Sequence, residues 1–313
     1  MPYPTLRLAA LLSAVVFVLP APVTAANAYP PAFADARAEV YKTIGDTKLS
    51  LWIFEPPATA IAPGATAAKT NRPAIVFFFG GGWTSGSPAQ FEQHCRYLAS
   101  RGIVAITADY RVASRQQAKP TQCVADAKSA LRWVRANAAR LGLDPRRIAA
   151  GGGSAGGHLA AAIATLPDFD EPAEDRKISS VPDALVLFNP ALVLAELPGL
   201  DLKGFGTQVP AERLGTEPKN LSPAHHVKKG APPAIIFHGQ ADTTVPYATA
   251  EAFDRVMKAA GNRCELVGYP GQQHGFFNHG RGDGKAYRDT IARTDAFLVS
   301  LGWLAAPMAS AKK

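Results

Sequence analysis

The sequence predicts an α/β fold in which a mainly parallel sheet carries helices on both faces. Short continuous apolar runs, such as residues 74–79 and 184–188, alternate along the chain with longer segments of helical periodicity. An uninterrupted apolar run is typical of a strand covered on both faces, and strands separated by helices favour parallel pairing. The 313 residues are 47% hydrophobic and 19% charged, a composition that excludes a disordered chain.

Each element follows from its own local pattern. Residues 48–54 alternate apolar and polar side chains and predict an early antiparallel strand, whereas residues 56–73, rich in Ala, Pro, Thr and Gly, predict a loop. Residues 120–141 repeat apolar side chains at helical spacing and predict one long amphipathic helix. The other predicted strands cover residues 74–79, 103–108, 147–150, 184–188, 234–237 and 265–269, and the other predicted helices cover residues 90–100, 158–165, 247–260 and 285–301.

The first 28 residues have the pattern of an export signal. Arg7 is their only charged residue, an apolar run follows at residues 8–19, and small-x-small cleavage sites end at Ala25 and Ala28. That run of about 12 residues is shorter than the ~20 that a spanning helix needs. We therefore expect residues 1–28 to be a signal peptide and residues 29–313 to be a single periplasmic or secreted domain with no stable membrane anchor. An uncleaved anchor is the alternative.

The three cysteines suggest one disulfide bond, because export permits such bonds. Cys95 falls in one predicted helix and Cys123 near the start of the next, so a Cys95–Cys123 bridge is predicted, with Cys264 left over. No C-x-x-C motif or His/Cys cluster indicates a metal site.

Residues 151–158 (GGGSAGGH) lie between a predicted strand and a predicted helix, and they contain the pattern Gly-x-Ser-x-Gly around Ser154. A serine in a tight strand-to-helix turn needs glycines two positions away on either side, and the turn lifts its hydroxyl above the sheet. A phosphate-binding loop is the competing interpretation, but no Lys-Ser/Thr pair follows the glycines. The pattern favours Ser154 as a nucleophile.

The glycines after the strand at 74–79 (sequence GGGW, residues 80–83) predict an oxyanion hole. Glycine lets backbone N–H groups approach a ligand oxygen closely, and fixed donors stabilise charge that develops in a transition state. The predicted donors are the amides of Gly81, Gly82 and Ala155, the residue after the serine. A plain flexible turn is the alternative.

Asp242 and His274 follow two further predicted strands and are the candidate acid and base. An acid can orient an imidazole and stabilise its charged form. Asp109 is the rival acid, but it precedes the serine in the chain, and an ion pair with Arg111 is expected for it instead. His279 is the fallback base.

The chain order Ser154, Asp242, His274 and the strand-end motifs GGGW, GGGSAGG, HGQADTTVP and QQHGF resemble those of α/β-hydrolases. Over roughly residues 45–303 the chain is similar to the hormone-sensitive-lipase/carboxylesterase-like group, and within it to bacterial exported acetyl-xylan and feruloyl-type esterases. The resemblance implies an α/β-hydrolase fold with an eight-stranded sheet. It also implies a serine carboxylic-ester hydrolase that forms an acyl-enzyme on short-chain or carbohydrate-linked esters and needs no cofactor.

One residue departs from that group. Its members usually have histidine before the three glycines, where this chain has Phe79. The oxyanion donors are backbone groups, so the hole can persist, but Phe79 must hold the loop by packing. Two alternative functions are a prolyl-oligopeptidase-like serine peptidase and a non-catalytic binding protein. Against the peptidase, the chain has no room for a propeller domain, and against the binding protein, all three predicted triad residues are present.

Residues 191–232 lack strong periodicity and predict an insertion near the active edge, either a lid or a substrate wall. The net charge is +8, and it is still +7 when Arg7 is left out. Basic and aromatic residues are not interleaved, so the sequence does not indicate a nucleic-acid partner. We expect the partner to be a small-molecule or polysaccharide-linked ester. No pattern specifies an oligomeric state.

Overall fold

A computed structural model describes residues 29–57, 71–200, 202 and 209–306. The described residues from Phe33 onwards form one compact unit. The predicted signal peptide, residues 1–28, lies outside the described residues, as does most of the predicted loop at 56–73. Within the described part of the chain, no helix has both the length and the hydropathy that a membrane span requires.

The described residues contain one eight-stranded sheet with the strand order β1-β2-β4-β3-β5-β6-β7-β8. β1 and β2 pair antiparallel, β2 pairs antiparallel with β4, and the six strands from β3 to β8 are parallel to one another. The predicted mainly parallel, eight-stranded sheet is therefore confirmed. The strands are β1 (Arg37–Ile44), β2 (Thr47–Phe54), β3 (Arg72–Phe78), β4 (Val104–Ala108), β5 (Leu143–Gly153), β6 (Ala184–Phe188), β7 (Ala234–Gly239) and β8 (Cys264–Tyr269).

Helices cover both faces of the sheet and produce two separate apolar layers. In β3, Val76 and Phe78 pack in the layer that includes α3, α5 and α8, whereas Ile75 and Phe77 pack in the layer that includes α1 and α9. Successive strand residues point to opposite faces, so a strand between two such layers must be apolar throughout. The helices are α1 (Glu92–Ser100), α2 (Ala113–Gln116), α3 (Pro120–Ala136), α4 (Ala138–Leu141), α5 (Ala155–Thr165), α6 (Ala211–Leu214), α7 (Pro218–Leu221), α8 (Tyr247–Ala259) and α9 (Lys285–Ser300).

Several elements differ from the sequence prediction: β5 is longer than the predicted strand at 147–150, the short helices α2, α6 and α7 were not predicted, and two further differences have a clear local cause. The predicted helix at 120–141 ends at Ala136, because Asn137 leaves the helical conformation, and its side-chain amide donates to the Trp133 carbonyl. β1 was missed because it is an edge strand whose side chains are mostly solvent-accessible, so it lacks the apolar run of a buried strand.

The predicted disulfide bond is wrong. All three cysteines are free and buried, and Cys95 packs in the layer of α1 and α9, while Cys123 packs in the layer of α3 on the other face of the sheet. A bridge needs Cα atoms within about 7 Å of each other, and the sheet between the two layers prevents that approach. Burial raises the pKa of Cys95, Cys123 and Cys264 well above the ordinary thiol value.

Candidate active site

Ser154 occupies a strained turn between β5 and α5. Its backbone has φ 54° and ψ −118°, a conformation that residues with a side chain rarely adopt. A Cβ on Gly152 would lie 2.5 Å from the Gly156 carbonyl oxygen, and a Cβ on Gly156 would overlap the Phe78 carbonyl. Only glycine fits at these two positions, which is the physical basis of the Gly-x-Ser-x-Gly pattern.

The structure brings Ser154, His274 and Asp242 together from the ends of three strands. His274 Nε2 lies 3.0 Å from Ser154 Oγ, and His274 Nδ1 lies 2.7 Å from Asp242 Oδ2. With the Nδ1 hydrogen donated to Asp242, Nε2 is free to accept the hydroxyl hydrogen of Ser154. This is the geometry of a nucleophile, a base and an orienting acid.

Asp242 is a buried carboxylate stabilised by hydrogen bonds. Its Oδ1 accepts the N–H groups of Thr244 and Val245, both at 2.9 Å. Burial opposes ionisation, but hydrogen bonds from His238, His274 and the Val245 amide outweigh it and hold the pKa of Asp242 well below its usual range. The acid is therefore ionised at neutral pH.

His238 lies directly beside this acid. The ring is fully buried at the end of β7, with Nε2 2.8 Å from the Val245 carbonyl oxygen and 3.4 Å from Asp242 Oδ2. A carbonyl oxygen only accepts, so Nε2 carries a hydrogen. The ring thus points an N–H group towards the turn that carries Asp242.

The predicted oxyanion loop follows β3 and bends towards Ser154. Gly81 and Gly82 have φ values of 121° and 61°, and a Cβ on Gly81 would collide with the Ser85 carbonyl. The Gly80 N–H group already donates to Gln90 Oε1 at 2.6 Å. Among the described residues, the N–H groups of Gly81 and Gly82 have no acceptor, so both remain available to a ligand oxygen.

Phe79 holds the start of this loop by packing, as expected for a residue that replaces histidine. Its ring stacks on Tyr110 with 4.1 Å between centroids, and the Tyr110 hydroxyl donates to the Phe79 carbonyl at 2.7 Å. Gln90 and Asn278, whose side chains are hydrogen-bonded to each other at 2.9 Å, were not predicted from the sequence. Nothing in their local pattern marks them, because the relevant contact spans 188 residues.

A cavity of about 160 Å³ lies over Ser154 and Ala155. One wall comes from the oxyanion loop, with Trp83, and another from the turn after Asp242. The predicted insertion forms much of the rest, so residues 191–232 contribute a wall of the site. The lining side chains from the insertion are Ala191, Val193, Leu194, Val209 and Arg213.

The rival residues take structural roles. Asp109 accepts the Tyr110 N–H and lies 3.7 Å from Arg115, whereas Arg111 pairs with the fully buried Asp126 at 2.8 Å. The expected Asp109–Arg111 pair is therefore wrong. His279 packs edge-on against Tyr287 rather than against the serine. Within the described residues no group of three or more His, Cys, Asp or Glu side chains could hold a metal ion.

Comparison with known proteins agrees with this geometry. The BD-FAE family model matches residues 63–257, which is more than half of the chain. This chain belongs to the BD-FAE family. The model of the dienelactone hydrolase family also matches, over residues 214–306.

Among curated relatives of this BD-FAE chain, carboxylesterase NlhH of Mycobacterium tuberculosis is 28% identical over 260 residues, which cover 75% of this chain and 73% of that protein. Esterase LipC of the same species is 31% identical over 218 residues, which cover 65% of this chain and 53% of that protein.

Solved structures of Thermogutta terrifontis esterase 2 are more similar still. The apo form has 52% identity and a TM-score of 0.81, covering 89% of this chain and 99% of that chain. The form phosphorylated by paraoxon has a TM-score of 0.80, and the propionate-bound form has 53% identity. This BD-FAE protein is therefore an α/β-hydrolase of the carboxylesterase type, a serine hydrolase of carboxylic esters that acts through an acyl-enzyme.

Proposed function

We propose that the protein hydrolyses esters of short-chain carboxylic acids, with Ser154 as the nucleophile, His274 as the general base and Asp242 as the orienting acid. The observation that carries this assignment is the unbroken line of hydrogen bonds from Ser154 Oγ through His274 to Asp242, with distances of 3.0 and 2.7 Å. At the serine end, Ser154 lines a small, mostly apolar cavity.

The reaction has two steps. His274 Nε2 takes the Ser154 proton as Oγ attacks the ester carbonyl carbon, and the N–H groups of Gly81, Gly82 and Ala155 stabilise the oxyanion. His274 then gives its proton to the departing alcohol, which leaves an acyl group on Ser154. In the second step His274 activates a water molecule, which releases the acid and restores the serine.

The size of the cavity favours short acyl chains. The cavity measures about 160 Å³ and is walled by Trp83, Val193, Leu194 and Val245, which suits a short apolar acyl chain. The propionate- and butyrate-bound forms of Thermogutta terrifontis esterase 2 support the same assignment.

The alcohol half of the substrate has more room. Gly81 is exposed, and the His274 side chain keeps 24% of its surface accessible, so the side of the serine away from the apolar wall is open to solvent. A bulky alcohol fits such an opening. We include carbohydrate-linked short-chain esters, such as acetylated sugars, in the proposed substrate class.

The test combines one variant with a substrate series. Ser154→Ala should remove hydrolysis of p-nitrophenyl butyrate while keeping the thermal unfolding midpoint, because only the nucleophile is lost. The wild type should show its highest kcat/KM on esters of two to four acyl carbons and a steep decline from eight onwards. Activity retained in Ser154→Ala would contradict the triad, and a preference for long chains would contradict the acyl assignment. Acetylated xylan and feruloylated sugars then test the alcohol side.

We also propose that residues 1–28 direct export and are removed. The supporting pattern is Arg7, the apolar run at 8–19 and the two cleavage sites. On expression of the full chain in a bacterium, N-terminal sequencing of the exported protein should start at Ala26 or Tyr29. A full-length chain retained in the membrane fraction would support an uncleaved anchor instead.

A further inference from the structure

A row of side-chain amide hydrogen bonds connects the oxyanion loop with the loop that carries His274. The Gly80 N–H donates to Gln90 Oε1 at 2.6 Å, and Gln90 Nε2 donates to Asn278 Oδ1 at 2.9 Å. Asn278 Nδ2 donates to the carbonyl oxygen of Gly275, the residue directly after His274, also at 2.9 Å. The row therefore begins one residue before the predicted oxyanion donors and ends one residue after the predicted base.

The direction of the row is determined by its ends. A backbone N–H can only donate, so the atom of Gln90 that faces Gly80 must be the oxygen. The Gln90 amide nitrogen is then the group that faces Asn278, and Asn278 must accept with its oxygen. Its nitrogen is left for the Gly275 carbonyl, which can only accept. Both side-chain amides thus have one orientation that satisfies all three bonds.

Gln90 acts where the chain lacks the histidine common in the group it resembles. Phe79 cannot donate or accept with its side chain, so it holds the loop only by stacking on Tyr110. A Cβ on Gly80 would lie 3.5 Å from Gln90 Oε1 and 3.4 Å from Ser154 Cβ, so Gln90 reaches the immediate surroundings of the nucleophile. Its bond to Gly80 fixes the peptide plane from which the Gly81 and Gly82 amides continue.

The other end of the row is held as firmly. The Gly275 N–H donates to Asn189 Oδ1 at 3.1 Å, while its carbonyl accepts from Asn278. Asn189 is fully buried at the end of β6, with the positive φ of 34° that is uncommon for residues other than glycine. The backbone that follows His274 is therefore fixed to β6 on one side and to the row on the other.

We propose that Gln90 and Asn278 are positioning residues that couple the oxyanion hole to the base, so that the amides of Gly81 and Gly82 and the imidazole of His274 keep one relative placement. This rests on the proposed function of the triad. Neither residue contacts the reacting atoms. Because misplacement of donors and base weakens transition-state stabilisation more than substrate binding, loss of the row lowers kcat and leaves KM nearly unchanged.

The experiment compares Gln90→Met, Asn278→Leu and the double variant on p-nitrophenyl butyrate. Each single variant should lower kcat by about 10- to 100-fold with KM within about threefold of the wild type. The double variant should have nearly the same kcat as the less active single variant, because the loss of one hydrogen bond already uncouples the two loops. Additive losses, or single variants with the wild-type kcat, would overturn the proposal.

A second variant separates coupling from local support of Gly80 alone. Gln90→Glu keeps an acceptor for the Gly80 N–H but has no hydrogen to give Asn278 Oδ1; if the Asn278 amide turns over, its nitrogen leaves the Gly275 carbonyl instead. Coupling predicts that Gln90→Glu has the kcat of Asn278→Leu. The wild-type kcat in Gln90→Glu would reduce the row to a local contact and contradict coupling. The Gln90→Glu variant still tests the coupling in the case that Gln90→Met does not fold.

Gln122→Met is the matched control. Gln122 Oε1 also accepts a single backbone N–H, that of Lys119, at 2.9 Å, but at the start of α3. It should keep the wild-type kcat, and an equal loss in this variant would assign the effect to general destabilisation. Ser154→Ala separates failure of the coupling from failure of the proposed function. If Ser154→Ala is inactive and Gln90→Met is fully active, only the coupling fails. If Ser154→Ala is active, the triad function on which the coupling rests fails as well.

Discussion

Tyr110 is bound to Phe79 twice, by stacking of the two rings at 4.1 Å and by a 2.7 Å hydrogen bond from the Tyr110 hydroxyl to the Phe79 carbonyl oxygen. Phe79 is the last residue before the three glycines of the oxyanion loop. Tyr110 lies just after the neighbouring strand β4, so the pair anchors the oxyanion loop to the end of that strand. It also shows how a chain with phenylalanine in place of histidine keeps that loop in position.

Tyr110→Phe keeps the stacking and removes only the hydroxyl. We expect a loss of about 1–3 kcal/mol in the free energy of unfolding, because a buried carbonyl loses its donor, and a fall in kcat of up to about tenfold. Tyr41→Phe is the control, since the Tyr41 hydroxyl also donates to a buried backbone carbonyl, that of Asp109, at 2.8 Å. A similar loss of stability without a change in kcat is expected there, and the same fall in kcat in both variants would contradict a specific role for Tyr110.

Asp242→Asn tests the orienting acid. The amide cannot stabilise a positively charged imidazole, and its N–H₂ group facing His274 favours the wrong tautomer, so kcat should fall by about 10³- to 10⁴-fold. Circular dichroism and the thermal midpoint verify folding, and Asp289→Asn, which alters a pair with Arg293 and a hydrogen bond from the Tyr269 hydroxyl, serves as the control. A loss below about tenfold would show that another group orients His274.

His94 should make the protein less stable in mild acid. The ring is fully buried among aromatic side chains, and both nitrogens lack a partner in the described part of the chain. Burial, aided by the nearby His279, lowers the pKa of His94 from 6.5 to about 3. Between those values the unfolded chain binds the proton and the folded one does not, so stability falls with decreasing pH by up to about 1.4 kcal/mol per unit. Burial likewise lowers the pKa of His158 to about 4, which adds a second contribution.

His94→Phe should reduce that dependence. Phenylalanine suits the surrounding rings, such as Phe91 and Phe188 at 5.0 and 5.3 Å, and has no nitrogen to protonate. Urea unfolding at pH 7 and pH 4.5 should show a smaller difference for His94→Phe than for the wild type, whereas His226→Gln, nearer the surface, should keep the wild-type difference. An unchanged pH dependence in His94→Phe would rule out His94 as its source.

The cysteines give a direct chemical test of the corrected pairing. The thiols of Cys95, Cys123 and Cys264 are free and buried, and burial raises the pKa of each. A thiol reagent should therefore react slowly with the native protein and label three groups after unfolding without reductant. A single labelled thiol under those conditions would mean that two of the cysteines are joined.

The sequence was sufficient for features that depend on local pattern. Apolar runs identified the buried strands because a strand covered on both faces has no polar position to offer. Gly152 and Gly156 predicted Ser154 as the nucleophile because no side chain fits beside that turn, and the order of the three strand-end motifs predicted Asp242 and His274 as its partners. The edge strand β1 and the end of α3 at Ala136 were not predicted, because neither is marked by a distinctive run of apolar residues.

Only the tertiary structure decided which distant groups meet. Gln90 and Asn278 are 188 residues apart in sequence, yet their side chains lie 2.9 Å apart. Cys95 and Cys123, only 28 residues apart in sequence, lie in layers on opposite faces of the sheet. Arg111 likewise pairs with Asp126 rather than with Asp109, which is closer to it in sequence. Periodicity reports what each residue faces, but side-chain partners depend on how the strands and helices are arranged in space, and one sequence does not contain that arrangement as a local pattern.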